Sequence, residues 1–238
     1  MKYFLDSAIL DEIKQAREDF ILDGVTTNPK HIMNSGKTFN KAVEDIAKWA
    51  DDQGFKSWED FPISVEINPY LVNPDEMVQM AKDISSISPC FVIKVPSIYP
   101  GIQAAKRLEA EGIRTNLTLV FSAAQAIMPA KLGCLFVSPF IGWKETNGED
   151  CRQYIKDIVD MYKNYGYYGK TQIICAALRT PKQFVDCAVA GADIVTAGLQ
   201  VYLDSFAHPY TRQGLETFQA AWDNTKKDIR AERATKKK

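Results

Sequence analysis

Lys94 sits inside an otherwise apolar run, Phe91-Val92-Ile93-Lys94-Val95-Pro96. Two carboxylates interrupt other apolar runs: Asp6 closes Tyr3-Phe4-Leu5-Asp6, and Glu66 lies within Ser64-Val65-Glu66-Ile67-Asn68. A lysine forced out of water loses its proton more readily and attacks carbonyl carbon, forming a Schiff base. The iminium draws electrons, so the carbon–carbon bond β to it breaks once a carboxylate takes the proton of the hydroxyl across that bond. A second carboxylate, with a hydroxyl and a water, must move protons while the carbinolamine dehydrates. Lys94 suits the nucleophile, Asp6 the general base, and Glu66 with Thr118 the proton relay. Asn28, Asn116 and Ser138 can hydrogen-bond the hydroxyls of the donor fragment. This chemistry asks for no metal.

Each of these residues alone has a plainer reading. A strand lysine commonly faces solvent, and an aspartate at a strand end commonly serves a turn or a helix cap. Chemistry is indicated by their shared place, the C-terminal ends of apolar runs. Eight such runs occur: Tyr3–Asp6, Gly24–Thr27, Ile63–Ile67, Phe91–Val95, Thr115–Val120, Leu135–Ser138, Gln172–Ala176 and Ile194–Ala197. Between them, apolar residues recur at helical spacing, as in Val43, Ile46, Ala47 and Ala50, or Ile155, Ile158, Val159 and Tyr162. Pro74 before Asp75-Glu76 suits a first helical turn. Alternating strands and helices imply βαβ units, and eight of them in 238 residues match an α/β fold, a single (β/α)8 TIM barrel. A doubly wound sheet is the competing architecture, but no G-x-G-x-x-G follows the first strand.

Period-two alternation places Ser64, Glu66 and Asn68 on one side of strand three, Val92 and Lys94 on one side of strand four, and Asn116 and Thr118 on one side of strand five. If those sides face inward, Lys94, Glu66 and Asp6 meet in one cavity at the strands' C-terminal ends, where active sites of barrels lie. The stripe Leu215, Phe218, Ala221 and Trp222 predicts a further helix over 214–227, a ninth beyond the eight pairs. The expected organisation is one domain over 1–228 and a basic flexible tail over 229–238.

Composition narrows the function classes. Twenty-nine Lys and Arg against 30 Asp and Glu leave a net charge of −1, without the positive excess that non-specific nucleic-acid binding requires. The closing Lys236-Lys237-Lys238 reads as a solvated tail. Five cysteines with no C-x-x-C pair and only two histidines, His31 and His208, suggest reduced thiols in a cytoplasmic protein and no zinc site. The opening residues reach a charge too early for a signal-peptide core, and no window approaches the ~18 apolar residues of a membrane span.

The motifs Phe4-Leu5-Asp6, Asp23-Gly24-Val25-Thr26-Thr27-Asn28-Pro29, Val92-Ile93-Lys94-Val95-Pro96, Thr115-Asn116-Leu117-Thr118-Leu119-Val120-Phe121-Ser122, Val137-Ser138-Pro139-Phe140-Ile141-Gly142 and His208-Pro209-Tyr210-Thr211 resemble those of transaldolases. The likeness is to the short-chain branch, which includes the fructose-6-phosphate aldolases. The resemblance implies a (β/α)8 barrel and a class I aldol mechanism without cofactor. It maps the Schiff-base lysine onto Lys94, the general acid/base onto Asp6, and the proton relay onto Glu66 and Thr118. It also implies a homo-oligomer joined through the C-terminal helix. In the family's aldolases an amide replaces the relay carboxylate and tyrosine replaces the phenylalanine. Glu66 and Phe140 therefore favour transfer to an acceptor aldehyde over simple release.

Three positions depart from ordinary transaldolases. Trp143, followed by Lys144, stands where the family usually has a phosphate-gripping arginine. Ala177 stands where it has a serine, two residues before Arg179. Lys30-His31 follows Asn28-Pro29 where it has a small Ser or Thr. A phosphate carries close to two charges near neutrality and a sulfonate one, so a single indole N–H suits the sulfonate better than a bidentate arginine does. These substitutions resemble the transaldolases that act on 6-deoxy-6-sulfofructose. The expected anion pocket is Arg179, Trp143 and Lys30, with His31 and Lys144 ranked lower. Trp143 also reads as rim packing and Lys30 as a solvated charge. Two alternatives stay open: an ordinary fructose-6-phosphate transaldolase or aldolase, and a non-catalytic barrel that binds sugar anions.

Overall fold

The computed structural model describes residues 1–226. Eight parallel strands close into a barrel in sequence order: β1 (Lys2–Asp6), β2 (Gly24–Thr26), β3 (Ile63–Glu66), β4 (Phe91–Pro96), β5 (Thr115–Val120), β6 (Phe136–Pro139), β7 (Gln172–Leu178) and β8 (Ile194–Ala197). The helices are α1 (Leu10–Asp19), α2 (Pro29–Asn34), α3 (Phe39–Asp52), α4 (Pro74–Ser85), α5 (Tyr99–Ala110), α6 (Ala123–Leu132), α7 (Gly142–Thr146), α8 (Cys151–Asn164), α9 (Pro181–Ala190), α10 (Leu199–Asp204) and α11 (Pro209–Asn224). The expected TIM barrel is the fold, with strand limits within two residues of the sequence reading. Two short helices were not expected: α2 and α7 lie in the connections after β2 and β6, on either side of the strand ends that carry the polar residues.

Alternation along each strand builds two apolar layers. Leu5, Val25, Ile63, Val65, Ile93, Val95, Leu117, Val137, Ile173 and Val195 belong to the large outer core, together with apolar helix residues such as Ile46, Ile155 and Ile158. Phe4, Val92, Phe136, Ile174 and Ile194 fill the inside of the barrel, with Phe4 and Phe136 edge to face at 5.8 Å. Gly24 makes room for this plug, because a Cβ there would stand 2.6 Å from the Phe4 ring. The five cysteines are free and buried. Among the described residues no helix is long and apolar enough to cross a membrane.

Two compact units are distinguished, Met1–Tyr202 and a second that begins at Leu203. The second contains α11, which has no buried residue. It ends at Asn224 and starts five residues before the expected 214–227, because His208 caps its N-terminus through the Tyr210 amide and Pro209 opens its first turn. The expected tail, 229–238, lies outside the described residues.

Candidate active site

Above the apolar plug the barrel interior turns polar. Asn116 Nδ2 donates to Ser64 Oγ at 3.0 Å, and Ser138 Oγ donates to Asn116 Oδ1 at 2.7 Å. Thr26 and Thr196 share a hydroxyl contact of 2.6 Å, and Thr26 Oγ1 donates to Asp6 Oδ1 at 2.8 Å. These inward side chains come from six strands, so each contact joins residues that only the paired sheet brings together. Paired polar atoms avoid the cost of about 1–3 kcal/mol that a buried unsatisfied group carries. The Thr118 hydroxyl is buried and has no protein partner.

Lys94 lies on this belt. Register pairs it with Glu66 on one side and Asn116 on the other. It is 2% exposed, and its ammonium sits 3.5 Å from Glu66 Oε2 while donating to the Thr27 carbonyl at 3.2 Å. Burial pushes the Glu66 carboxyl above its ordinary range, and the attraction of Lys94 offsets only part of that. Burial also pushes Asp6 up, but there the opposing influences win. The His31 hydrogen bond and charge, with Lys94 and Thr26, hold the Asp6 carboxyl below the usual aspartate range. The two carboxylates are thus driven apart, Glu66 toward the acid form and Asp6 toward the base form, as acid and base assignments require.

A cavity of about 470 Å³ opens over these groups. Asp6, Glu66 and Lys94 line it, with Asn28, Lys30, Phe140, Trp143 and Arg179 around them. Asn116, Thr118 and Ser138 do not reach its wall: each is fully buried beneath it. Asn68, expected beside Glu66, is exposed and serves a turn, accepting from the Tyr70 amide at 3.0 Å. The alternation stops where β3 ends at Glu66. Lys144 does not line the cavity either. Its ammonium bonds the Phe121 carbonyl at 3.0 Å and Glu149, and lies 4.8 Å from the Tyr154 ring centre.

The wall on the side of β6 and β7 is aromatic and strained. Phe121, Phe140 and Trp143 pack at 5.4–5.8 Å, and Trp143 remains half exposed, so part of its role is the packing that its rim position offers. Leu119 and Ala177 both have φ of 58°, at register shifts in β5 and β7. Such bulges turn side chains out of alternation, at roughly 1–3 kcal/mol for each left-handed residue. Leu119 is thereby added to the cavity wall, a position that regular alternation does not foresee.

Arg179 is held from two directions. Its guanidinium donates to Thr146 Oγ1 at 3.3 Å. Its amide donates to Oε1 of Gln183, a buried side chain that also bonds Glu145 at 2.5 Å. Gly142 lets α7 approach, because a Cβ there would meet the Ala177 carbonyl oxygen at 2.3 Å and the Arg179 side chain at 3.3 Å. Gly142→Ala is therefore expected to destabilise the protein by about 1–3 kcal/mol and to weaken binding of an anionic substrate, read by a thermal melt and by KM.

Sequence reasoning ranked His31 low and placed it in the anion pocket, but its Nε2 lies 3.2 Å from Asp6 Oδ2. The overlooked signal is Asn28-Pro29, an N-cap followed by a first-turn proline. Asn28 Oδ1 accepts from the His31 amide at 3.1 Å, which fixes His31 in the first turn of α2. The same bond commits the oxygen of Asn28 to the helix and leaves its amide NH₂ for a ligand.

The comparisons agree with this geometry. A family model, "Transaldolase/Fructose-6-phosphate aldolase", matches residues 3–237. Two proteins named 6-deoxy-6-sulfo-D-fructose transaldolase, from Priestia aryabhattai and Priestia megaterium, are each 57% identical over 94% of this chain and 96% of their own length. A probable transaldolase from Dictyoglomus turgidum is 42% identical over 95% of this chain and all of its own. A solved chain described as "Native KDPGal structure" superposes with a TM-score of 0.53 at 16% identity, covering 82% of this chain and 81% of that one, a likeness of fold alone. With a family match over nearly its whole length and a closed barrel that gathers a buried lysine and two carboxylates, the chain belongs to the transaldolase/fructose-6-phosphate aldolase family.

Proposed function

We propose that the protein is a class I Schiff-base transaldolase that moves a dihydroxyacetone unit from 6-deoxy-6-sulfofructose to glyceraldehyde 3-phosphate, giving sulfolactaldehyde and fructose 6-phosphate. The observation that carries the catalytic part is the Lys94 ammonium, 2% exposed and 3.5 Å from Glu66 at the floor of the cavity. Glu66 takes a proton from the Lys94 ammonium, the freed Nζ amine attacks the donor C2 carbonyl, and Glu66, with the unpartnered Thr118 hydroxyl, returns a proton to the departing oxygen as the carbinolamine loses water. Asp6 takes the C4 hydroxyl proton. The C3–C4 bond breaks, its electron pair passes to the iminium as an enamine, and sulfolactaldehyde leaves. The enamine carbon then attacks the acceptor aldehyde, Asp6 returns the proton to the new alkoxide, and hydrolysis frees Lys94. Asn28, on the cavity wall, orients the dihydroxyacetone hydroxyls, and the buried Asn116 and Ser138 hold the polar belt beneath it.

The donor assignment is supported by the two Priestia relatives and by the anion end of the cavity. Arg179, Trp143 and Lys30 line it, and Phe140 with Trp143 supplies an apolar wall beside them. One guanidinium and an indole N–H match a singly charged sulfonate, although Arg179 also allows a phosphate, which the product carries. A panel of sulfofructose and fructose 6-phosphate as donors, each with and without acceptor, tests the reading. Sulfofructose must be the better donor, and its products must depend on acceptor; fructose 6-phosphate preferred would support the ordinary transaldolase. Trp143→Arg is expected to shift the ratio of kcat/KM values toward fructose 6-phosphate by about 10–100-fold, the worth of one charge-assisted contact. An unchanged ratio removes Trp143 from anion recognition.

We extend the proposal to assembly and location. The exposed Leu215 and Phe218 of α11 fit a homo-oligomer joined through that helix. Five buried free thiols fit a reducing cytoplasm, with residues 1–228 acting as one functional domain.

A further inference from the structure

We propose that His31 is a positioning residue for Asp6, holding its carboxylate ionised and aimed into the cavity, so that it sets the lower pH limit of catalysis. The inference deepens the proposed function and rests on its assignment of Asp6 as the base. Each Asp6 oxygen has one donor: Thr26 Oγ1 at 2.8 Å on Oδ1, and His31 Nε2 at 3.2 Å on Oδ2. The two donors differ in kind. Thr26 is buried on β2 and tied to Thr196 at 2.6 Å. His31 lies on the cavity wall with its side chain 22% exposed. Its own place is set by β2, by the Asn28 cap at 3.1 Å and by Pro29 at the first position of α2.

The charges round this pair are few. Asp6 faces His31 from α2, Lys94 from β4 and the Thr26 hydroxyl from β2. Glu66 on β3 opposes its ionisation, and Tyr202 on α10, whose hydroxyl bonds the Phe4 carbonyl, stands behind it. Lys30 and Arg179 complete the cationic side of the cavity. Lys94 is engaged by Glu66 and the Thr27 carbonyl, so His31 is the close partner on Oδ2.

The test titrates the Asp6 carboxyl by carbon-13 NMR in the full-length protein and, in parallel, measures the acid limb of kcat/KM. In His31→Phe both are expected to move up by about one pH unit, with kcat reduced about 10-fold. His31→Gln, whose amide still donates but carries no charge, should recover most of kcat while the Asp6 midpoint stays above that of the wild type. An Asp6 midpoint that does not move in either variant overturns the proposal. So does a midpoint that moves while the acid limb stays in place, or a uniform loss of kcat in both variants with the limb unmoved. Borohydride trapping of donor on wild-type Lys94 is run alongside. Its failure sinks the Schiff-base reading, whereas the NMR titration judges His31 without any turnover.

Discussion

Lys94→Met is expected to lower turnover on the order of 10⁴-fold or more, the scale of losing a covalent nucleophile, and to abolish the borohydride-trapped mass adduct. Methionine fills nearly the same unbranched volume, so the cavity persists without its amine. Lys30 stands on the exposed rim rather than at the buried floor, so it cannot substitute. The same variant carries a signature in stability. Removing the ammonium 3.5 Å from Glu66 strips away the main influence that lowers that carboxyl, which burial already pushes up. A carboxyl whose folded pKa is raised binds more protons folded than unfolded, so stability falls as pH climbs from the ordinary glutamate range through the raised value. Melting of Lys94→Met should therefore match wild type near pH 4 and fall behind by roughly 5–10 °C near pH 8, from the cost of breaking a buried pair. Turnover within 10-fold of wild type would place the nucleophile elsewhere. Equal melting at both pH values would mean that the two charges are not coupled.

Asp6→Asn is expected to lower kcat by about 10²–10⁴-fold, the range for removing a general base, while leaving the donor adduct on Lys94 intact. That dissociation of effects is the point of the variant. In the proposed mechanism Glu66, not Asp6, attends carbinolamine dehydration, so the imine should still form and accumulate because the carbon–carbon bond cannot break. The amide also preserves the surroundings. Its oxygen accepts from Thr26 as before, and its NH₂ can donate to His31 once the imidazole carries its own proton on Nδ1. The checks are single-turnover release of sulfolactaldehyde and mass spectrometry of the reduced adduct. Loss of the adduct together with turnover would assign Asp6 to an earlier step.

The sequence was most legible where a polar residue broke an apolar strand. In β3, β4 and β5 a period of two put Glu66, Lys94 and Thr118 on the inner side, and the barrel places all three inside. This works because barrel strands are covered by helices on the outside, so a charge within such a strand has only the interior to turn to. The eight units and their order were legible for the same reason, since each strand and each helix writes its own period.

Other features have no local signature. The left-handed residues Leu119 and Ala177 carry no glycine to announce their bulges. Asn116 and Ser138 read in the sequence as donors to substrate hydroxyls, yet lie beneath the cavity wall, hydrogen-bonded to each other. Lys144 looks like an anion ligand and is instead spent on Phe121 and Glu149.

Sequence alone determined which elements form, which side of each strand is polar, and which residue types stand ready for carbonyl chemistry. Periodicity, caps and turn residues act over a few neighbours, and that reach suffices for such properties. Only the tertiary structure decided that Lys94 meets Glu66 and the Thr27 carbonyl, that His31 reaches Asp6, and that Thr118 keeps an unpaired hydroxyl. Those pairs lie tens of residues apart along the chain, and the free energy that joins them comes from burying the outer core as a whole.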